Sequence, residues 1–284
     1  MVDEKDTCIR VYKNKFKLSS ELRFPKSHIK INQSGGLTKV IVFDMDETIG
    51  SFQDLAILWT LGIDEKNQET FNQLLDLYPE FLRTGILKIL EFIIKQKKMG
   101  ICGKLYVYTN NKYSPELPNK ICEYLNYKLN TEQIFDKIIC AFKVNNVIIE
   151  PKRTTVEKTH GDFIQCSVLP KKSEICFVDD KYYKKMDTEK VYYIQPQAYC
   201  HDLSANIIIE RFIDRFPNAP NISMIVSECM KNQNVQMKTE IHQYVFQKMM
   251  YYIREFFYLT TRRLKTKKRR IKIGNFTRKI KNKR

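Results

Sequence analysis

Five short runs rich in β-branched and aromatic residues, at 39–43, 104–108, 136–141, 174–178 and 191–195, alternate with helical patterns along this chain. Runs such as Val40-Ile41-Val42-Phe43 are apolar at every position, so a strand built from them has both faces covered. Strands alternating with helices predict an α/β fold: a doubly wound, mostly parallel five-stranded sheet. Among the helical patterns, 84–97 puts Ile86, Leu87, Leu90, Ile93 and Ile94 on one stripe. Others fall at 115–127, 158–167 and 202–216, the last with Leu203, Ile207, Phe212 and Phe216 near one face. The α/β domain therefore spans 37–216, with a small helical insert at 51–81 after the first strand. Residues 1–36 read as a polar leader, with Pro25 and Ser34-Gly35-Gly36 marking its turns. After Pro217 and Pro220 a weakly structured linker leads to an aromatic helix at 239–260, followed by a polybasic tail, 261–284.

The first strand ends abruptly in Asp44-Met45-Asp46-Glu47-Thr48. Open α/β sheets bind ligands at the carboxyl ends of their strands, which is where Asp44 and Asp46 fall. Two carboxylates aimed at one cleft repel each other, and an oxygen-preferring cation such as Mg²⁺ relieves that repulsion. Two more strands end in polar residues: Leu105-Tyr106-Val107-Tyr108 in Thr109-Asn110-Asn111, and Ile175-Cys176-Phe177-Val178 in Asp179-Asp180. Between them lies Lys158, near the start of a helix.

Charge is uneven. Of the net +17, thirteen positive charges lie in 261–284, which has no acidic residue, leaving a body of +4. Such a tail suits polyanions, either nucleic acid or an anionic surface, and Lys267-Lys268-Arg269-Arg270 resembles a nuclear-import cluster. No run reaches the roughly 18 apolar residues of a membrane span. The amino terminus lacks a secretory pattern, so an intracellular protein of cytoplasm or nucleus is expected. Eight scattered cysteines without Cys-x-x-Cys spacing read as reduced, mostly buried thiols rather than zinc ligands.

Asp-x-Asp-x-Thr alone arises by chance about once in 20–30 chains of this length. Followed in order by strand-Thr109, helix-Lys158 and strand-Asp179-Asp180, it resembles the four motifs of the haloacid dehalogenase (HAD) superfamily of phosphatases, over roughly residues 38–195. Asp44-Met-Asp-Glu-Thr-Ile49 is similar to the Asp-Leu-Asp-Glu-Thr-Leu of the small protein phosphatases acting on the RNA polymerase II C-terminal domain. Arg83-Thr-Gly85 is similar to their Arg-Pro-Gly. The resemblance implies a Rossmannoid phosphatase with Asp44 as nucleophile, forming an aspartyl phosphate, and Asp46 as general acid and base. It implies Mg²⁺ held by Asp44, the Asp46 carbonyl and Asp179. Thr109, the Asn110 amide and a lysine would grip the phosphoryl oxygens. That lysine is Lys158 or, alternatively, Lys152. Thr48 is expected to orient the Asp44–Asp46 loop from within it, and Asp180 to support the ion or the lysine, or else to cap a helix.

Two departures leave the substrate open. Asp179-Asp180-Lys181 replaces the Asp-Asn-Ser common in the polymerase-tail enzymes, and the insert reads as helical rather than as a small sheet. With only 49 residues between Thr109 and Lys158 there is no room for a large second cap, so an open site suited to a phosphorylated macromolecule is expected. A phosphoprotein leads, with a nucleic-acid end held by the tail as the alternative. A catalytically idle scaffold that binds polyanions is the third reading.

Overall fold

The computed structural model describes residues 7–18, 38–170, 172–231 and 239–261. Strands β1 (Ile9–Tyr12), β2 (Lys17–Leu18) and β3 (Lys39–Phe43) come first, followed by helices α1 (Gln53–Gly62), α2 (Gln68–Asp76) and α3 (Ile86–Lys98). Next are β4 (Lys104–Tyr108), α4 (Leu117–Lys128), β5 (Lys137–Ile139) and a small hairpin, β6 (Lys143–Val144) with β7 (Val147–Ile148). The chain continues through α5 (His160–Ser167), β8 (Glu174–Val178) and β9 (Val191–Pro196). It closes with α6 (Ala205–Arg215), α7 (Ile222–Lys231), α8 (Thr239–Tyr258) and β10 (Leu259–Thr260). The polybasic residues 262–284 lie outside the described residues, so the expectations for the tail find no structural counterpart.

The main sheet has six strands in the order β1-β9-β8-β3-β4-β5. Five are parallel, and β1 pairs antiparallel with β9. The expected five-strand sheet is thus extended by an edge strand from the segment read as a polar leader. From β3 the chain winds outward through β4 to β5, then returns to β8 and β9 on the other side. The order reverses between β3 and β8, and that switch point is where such sheets open a ligand crevice.

Side chains alternate between two buried faces. Val40, Val42, Tyr106, Tyr108, Ile175 and Phe177 pack with Phe163 and Cys166 of α5. Ile41, Phe43, Leu105, Val107, Cys176 and Val178 join the larger core beneath the remaining helices. A fully buried side chain of this kind contributes roughly 1.5–3 kcal/mol, so the strands are held firmly and their ends are fixed points.

The insert is helical, as expected, and is built into the body: Trp59 Nε1 donates to Glu116 at 3.0 Å and Tyr124 Oη to Asp76 at 2.7 Å. Two other expectations fail. The stretch after Pro220 forms α7, which packs on α1, and Ile207 faces solvent while Ile208 and Phe212 face the core. The aromatic helix α8 docks through Val245, Met249, Ile253 and Phe256. Lys39 Nζ caps its end, donating to the Phe256 carbonyl at 2.9 Å and pairing with Glu174 at 2.9 Å. At the other end, Gly85 has φ +76°, and a Cβ there would meet the Phe246 ring at 2.2 Å. No helix among the described residues is long and apolar enough to cross a membrane. All eight cysteines are free, six of them buried.

Candidate active site

Strand register assembles the site. Phe43 lies opposite Val178 in the parallel β3–β8 ladder, so the next residues, Asp44 and Asp179, leave the sheet side by side. The ladder extends one step past the strand, with Asp44 N–H donating to the Val178 carbonyl at 2.9 Å. On the other flank β4 delivers Thr109, whose N–H bonds the Ile139 carbonyl at 2.9 Å. Asp44, Thr109 and Asp179 are buried.

After Asp44 the chain turns tightly, with the Ile49 N–H returning to the Met45 carbonyl at 2.8 Å and Glu47 at φ +60°. The buried Arg83 guanidinium fixes this turn from behind. It donates to the carbonyls of Thr48 (2.6 Å), Glu47 and Gln197 (2.9 Å), and burial pulls its pKa down to about 10. Within the loop the Thr48 N–H bonds the Met45 carbonyl at 3.3 Å, and its side chain also reaches beyond the loop. Its hydroxyl donates to Asp180 Oδ1 at 3.0 Å and accepts from the Asp180 N–H at 3.0 Å, tying the turn to the end of β8.

Lys158 is 1% exposed and sits just before Thr159, the residue that caps α5 by accepting from the Asp162 N–H. It therefore lies outside the helix rather than in its first turn. Its ammonium donates to Asp44 Oδ1 and, at 2.7 Å, to Asp179 Oδ2. The rings of Tyr183, Tyr108 and Phe177 lie 5.4, 5.8 and 5.9 Å away. Burial alone would lower its pKa, but Asp179 and Asp44 outweigh burial and hold it above the ordinary lysine value. Lys152, the alternative, is exposed.

Asp44, Asp179 and Asp180 each offer a carboxylate oxygen, and these oxygens lie within 4.8 Å of one another. Burial first, then the Asp44 charge, raise the pKa of Asp179 well above the carboxylate range even though Lys158 opposes them. Asp180 is pushed up to about 7 by burial and by the charges of Asp44 and Glu47. Both partners of the Lys158–Asp179 pair therefore rise, because one ammonium is shared among several carboxylates and cannot neutralise them all. A buried all-oxygen donor set with excess negative charge fits a hard divalent cation. The carboxylate of Asp46 is not in this group. It turns to Asn111, whose Nδ2 donates to both oxygens at 3.0 Å. Burial, then Asp44, raise Asp46 to about 6, with Asn111 opposing.

No family model, characterised protein or solved structure matches the chain. The geometry itself brings together Asp44, Asp46, Thr48, Thr109, Asn110, Lys158, Asp179 and Asp180.

Arg153 is the residue the sequence reading missed. It is buried, and Nη1 donates to the carbonyls of Thr109 (3.1 Å) and Cys140 (2.8 Å). Nη2 donates to Asn110 Oδ1 (2.8 Å) and the Val156 carbonyl (3.0 Å), so one guanidinium joins the Thr109 loop to the segment that carries Lys158. Nothing in Pro151-Lys152-Arg153 signals which cation turns inward. Asn111 was visible in the Thr109-Asn110-Asn111 run, but its partner, Asp46, was not. Thr109 Oγ1 accepts from the Asn111 N–H at 2.9 Å, which leaves the hydroxyl proton for a further acceptor.

Proposed function

We propose that this protein is a Mg²⁺-dependent phosphomonoester hydrolase of HAD type, working through an aspartyl phosphate on Asp44. The observation that carries the reading is the buried ammonium of Lys158 bonded to Asp44 and Asp179 at adjoining strand ends, with Asp46 close by and its pKa raised by burial and by Asp44. An isolated lysine of this kind would simply be a salt bridge. Three converging carboxylates, a hydroxyl and a second, separately held acid form a phosphoryl-transfer set.

Asp44 attacks phosphorus as the bond from phosphorus to the leaving oxygen breaks, and Asp46 passes its proton to that oxygen. Water then attacks the aspartyl phosphate and returns a proton to Asp46. The bond between phosphorus and Asp44 breaks, releasing inorganic phosphate. An acid with a pKa near 6 can serve in both protonation states near neutral pH, and burial beside Asp44 supplies that value. Lys158 and the Thr109 hydroxyl would meet the phosphoryl oxygens, with Arg153 holding the Thr109 loop in place. Mg²⁺, held by Asp44, Asp179 and Asp180, would supply charge neutralisation between carboxylates and phosphate.

The deciding experiment is phosphate release from a generic aryl phosphate with Mg²⁺, comparing the wild type with Asp44→Asn. Turnover that depends on both Mg²⁺ and Asp44 is expected. A wild type with no such turnover refutes the reading.

A further inference from the structure

Beside the acidic cluster, past the Thr109 loop, a cleft of about 280 Å³ opens at the surface. Its walls include Asn110, Lys112, Phe142, Lys143, Val156 and Tyr183. Two contacts join this cleft to the chemistry. Asn110 Nδ2 lies 3.4 Å from the Tyr183 hydroxyl, and the Tyr183 ring lies 5.4 Å from Lys158 Nζ, which itself bonds Asp44. A group seated here is thus one side chain away from the nucleophile, close enough to be the remainder of a substrate whose phosphate sits at Asp44.

The lining is selective. Phe142 and Tyr183 are partly exposed aromatic rings, Val156 adds apolar surface, and Lys112 and Lys143 are exposed ammonium groups. Lys143 Nζ lies 5.1 Å over the Phe142 ring. Glu157 also lines the cleft, but Lys185 pairs with it at 3.5 Å, so the wall keeps a positive balance. Aromatic faces interleaved with lysines bind single-stranded nucleic acid, the bases stacking and the ammonium groups meeting backbone phosphates. The size, at the small end of ligand pockets, suits one nucleoside rather than a folded surface.

We infer that the cleft takes the terminal nucleotide of a single-stranded nucleic acid bearing an end phosphate. The inference rests on the phosphomonoesterase reading and narrows its substrate class. It gives the cleft a role separate from that of the tail. Thr260 and Thr261, where the polybasic run begins, bond Glu174 at the amino end of β8, opposite the Asp179 end.

The test uses the full chain with Mg²⁺. Phosphate release is measured on 3′- and 5′-phosphorylated oligothymidylate, on a phosphoserine peptide and on an aryl phosphate, for wild type and for the double variant Lys112→Glu, Lys143→Glu. The inference expects one of the oligonucleotides to be the best substrate. It expects the double variant to lose about tenfold or more in kcat/KM on it while aryl phosphate turnover is unchanged. Aryl phosphate turnover with the phosphopeptide preferred, or an equal loss on every substrate, overturns the inference while leaving the phosphatase reading standing. If aryl phosphate is not turned over, that reading fails. The cleft is then judged by fluorescence anisotropy of the same oligonucleotides, in which wild type must bind more tightly than the double variant. Equal binding overturns the inference, because both proteins carry the same tail.

Discussion

Asp180 gives the sharpest quantitative test of the acidic cluster. Its carboxyl is buried, faces the charges of Asp44 and Glu47, and is pushed up to about 7 from an ordinary value of 3.8. A raised carboxyl pKa means the folded state binds the proton more tightly than the unfolded chain. Folding therefore loses stability as pH climbs from the unfolded value to the folded one, and the cost is fully developed above about pH 7. At about 1.36 kcal/mol per pKa unit, the charge costs on the order of 4 kcal/mol near pH 8 and less than half of that near pH 5. Asp180→Asn removes the charge while keeping an oxygen to accept from Thr48 Oγ1, the bond that ties the turn after Asp44 to the end of β8.

In the presence of chelator the variant should be more stable than wild type, with a gap wider by roughly 2–3 kcal/mol near pH 8 than near pH 5. For a chain of this size a full gap of about 4 kcal/mol corresponds to roughly 8 °C in Tm. Urea and thermal unfolding at the two pH values measure it. Adding Mg²⁺ near pH 8 should shrink the gap, because the ion stabilises the charged cluster of the wild type more than that of the variant. A gap that does not change with pH, or a variant less stable than wild type near pH 8, would refute the assignment of the excess charge to Asp180.

Lys158→Met removes the ammonium shared by Asp44 and Asp179, and should cost about 3–5 kcal/mol of unfolding free energy in chelator, with part of the loss restored by Mg²⁺. Asp46→Asn should lower kcat/KM by about 10²–10⁴-fold on an alkyl phosphate, and far less on an aryl phosphate whose leaving group needs no proton. Arg153→Gln leaves backbone carbonyls around the Thr109 loop without their donor. It should cost about 1–3 kcal/mol in urea unfolding and weaken competitive inhibition by inorganic phosphate.

What the sequence made legible follows from what was local. Four of the five parallel strands, β3, β4, β8 and β9, announced themselves because they are buried on both faces, while β5 at the sheet edge is only partly covered. Asp44 and Asp179 stood out because charged residues follow those runs directly. β1 was not legible: Ile9-Arg-Val-Tyr12 is a short edge strand whose apolar positions gain meaning only against Ile194 and Tyr193 of β9. α7 was hidden behind Pro217 and Pro220, yet a proline ahead of a helix start leaves that helix intact. Thr48, Asn111 and Arg153 act across the chain, through partners 132, 65 and 44 residues away, and no local pattern encodes such distances.

The same long-range bonds explain why the fold tolerates a cluster that electrostatics alone would disperse. Lys158 neutralises one charge among Asp44, Asp179 and Asp180, so the remaining repulsion works to push the strand ends apart. Opposing it are the β3–β8 ladder, the Thr48–Asp180 bonds and the Arg83 clamp on the turn after Asp44. The carboxylates are held at a spacing set by backbone register, and repulsion that cannot relax by movement is relieved by whatever cation arrives. On the proposed reading, part of the free energy spent in folding the cluster would return as affinity for a divalent ion. Loosening the clamp, for instance at Arg83, should lower that affinity without touching a ligand atom.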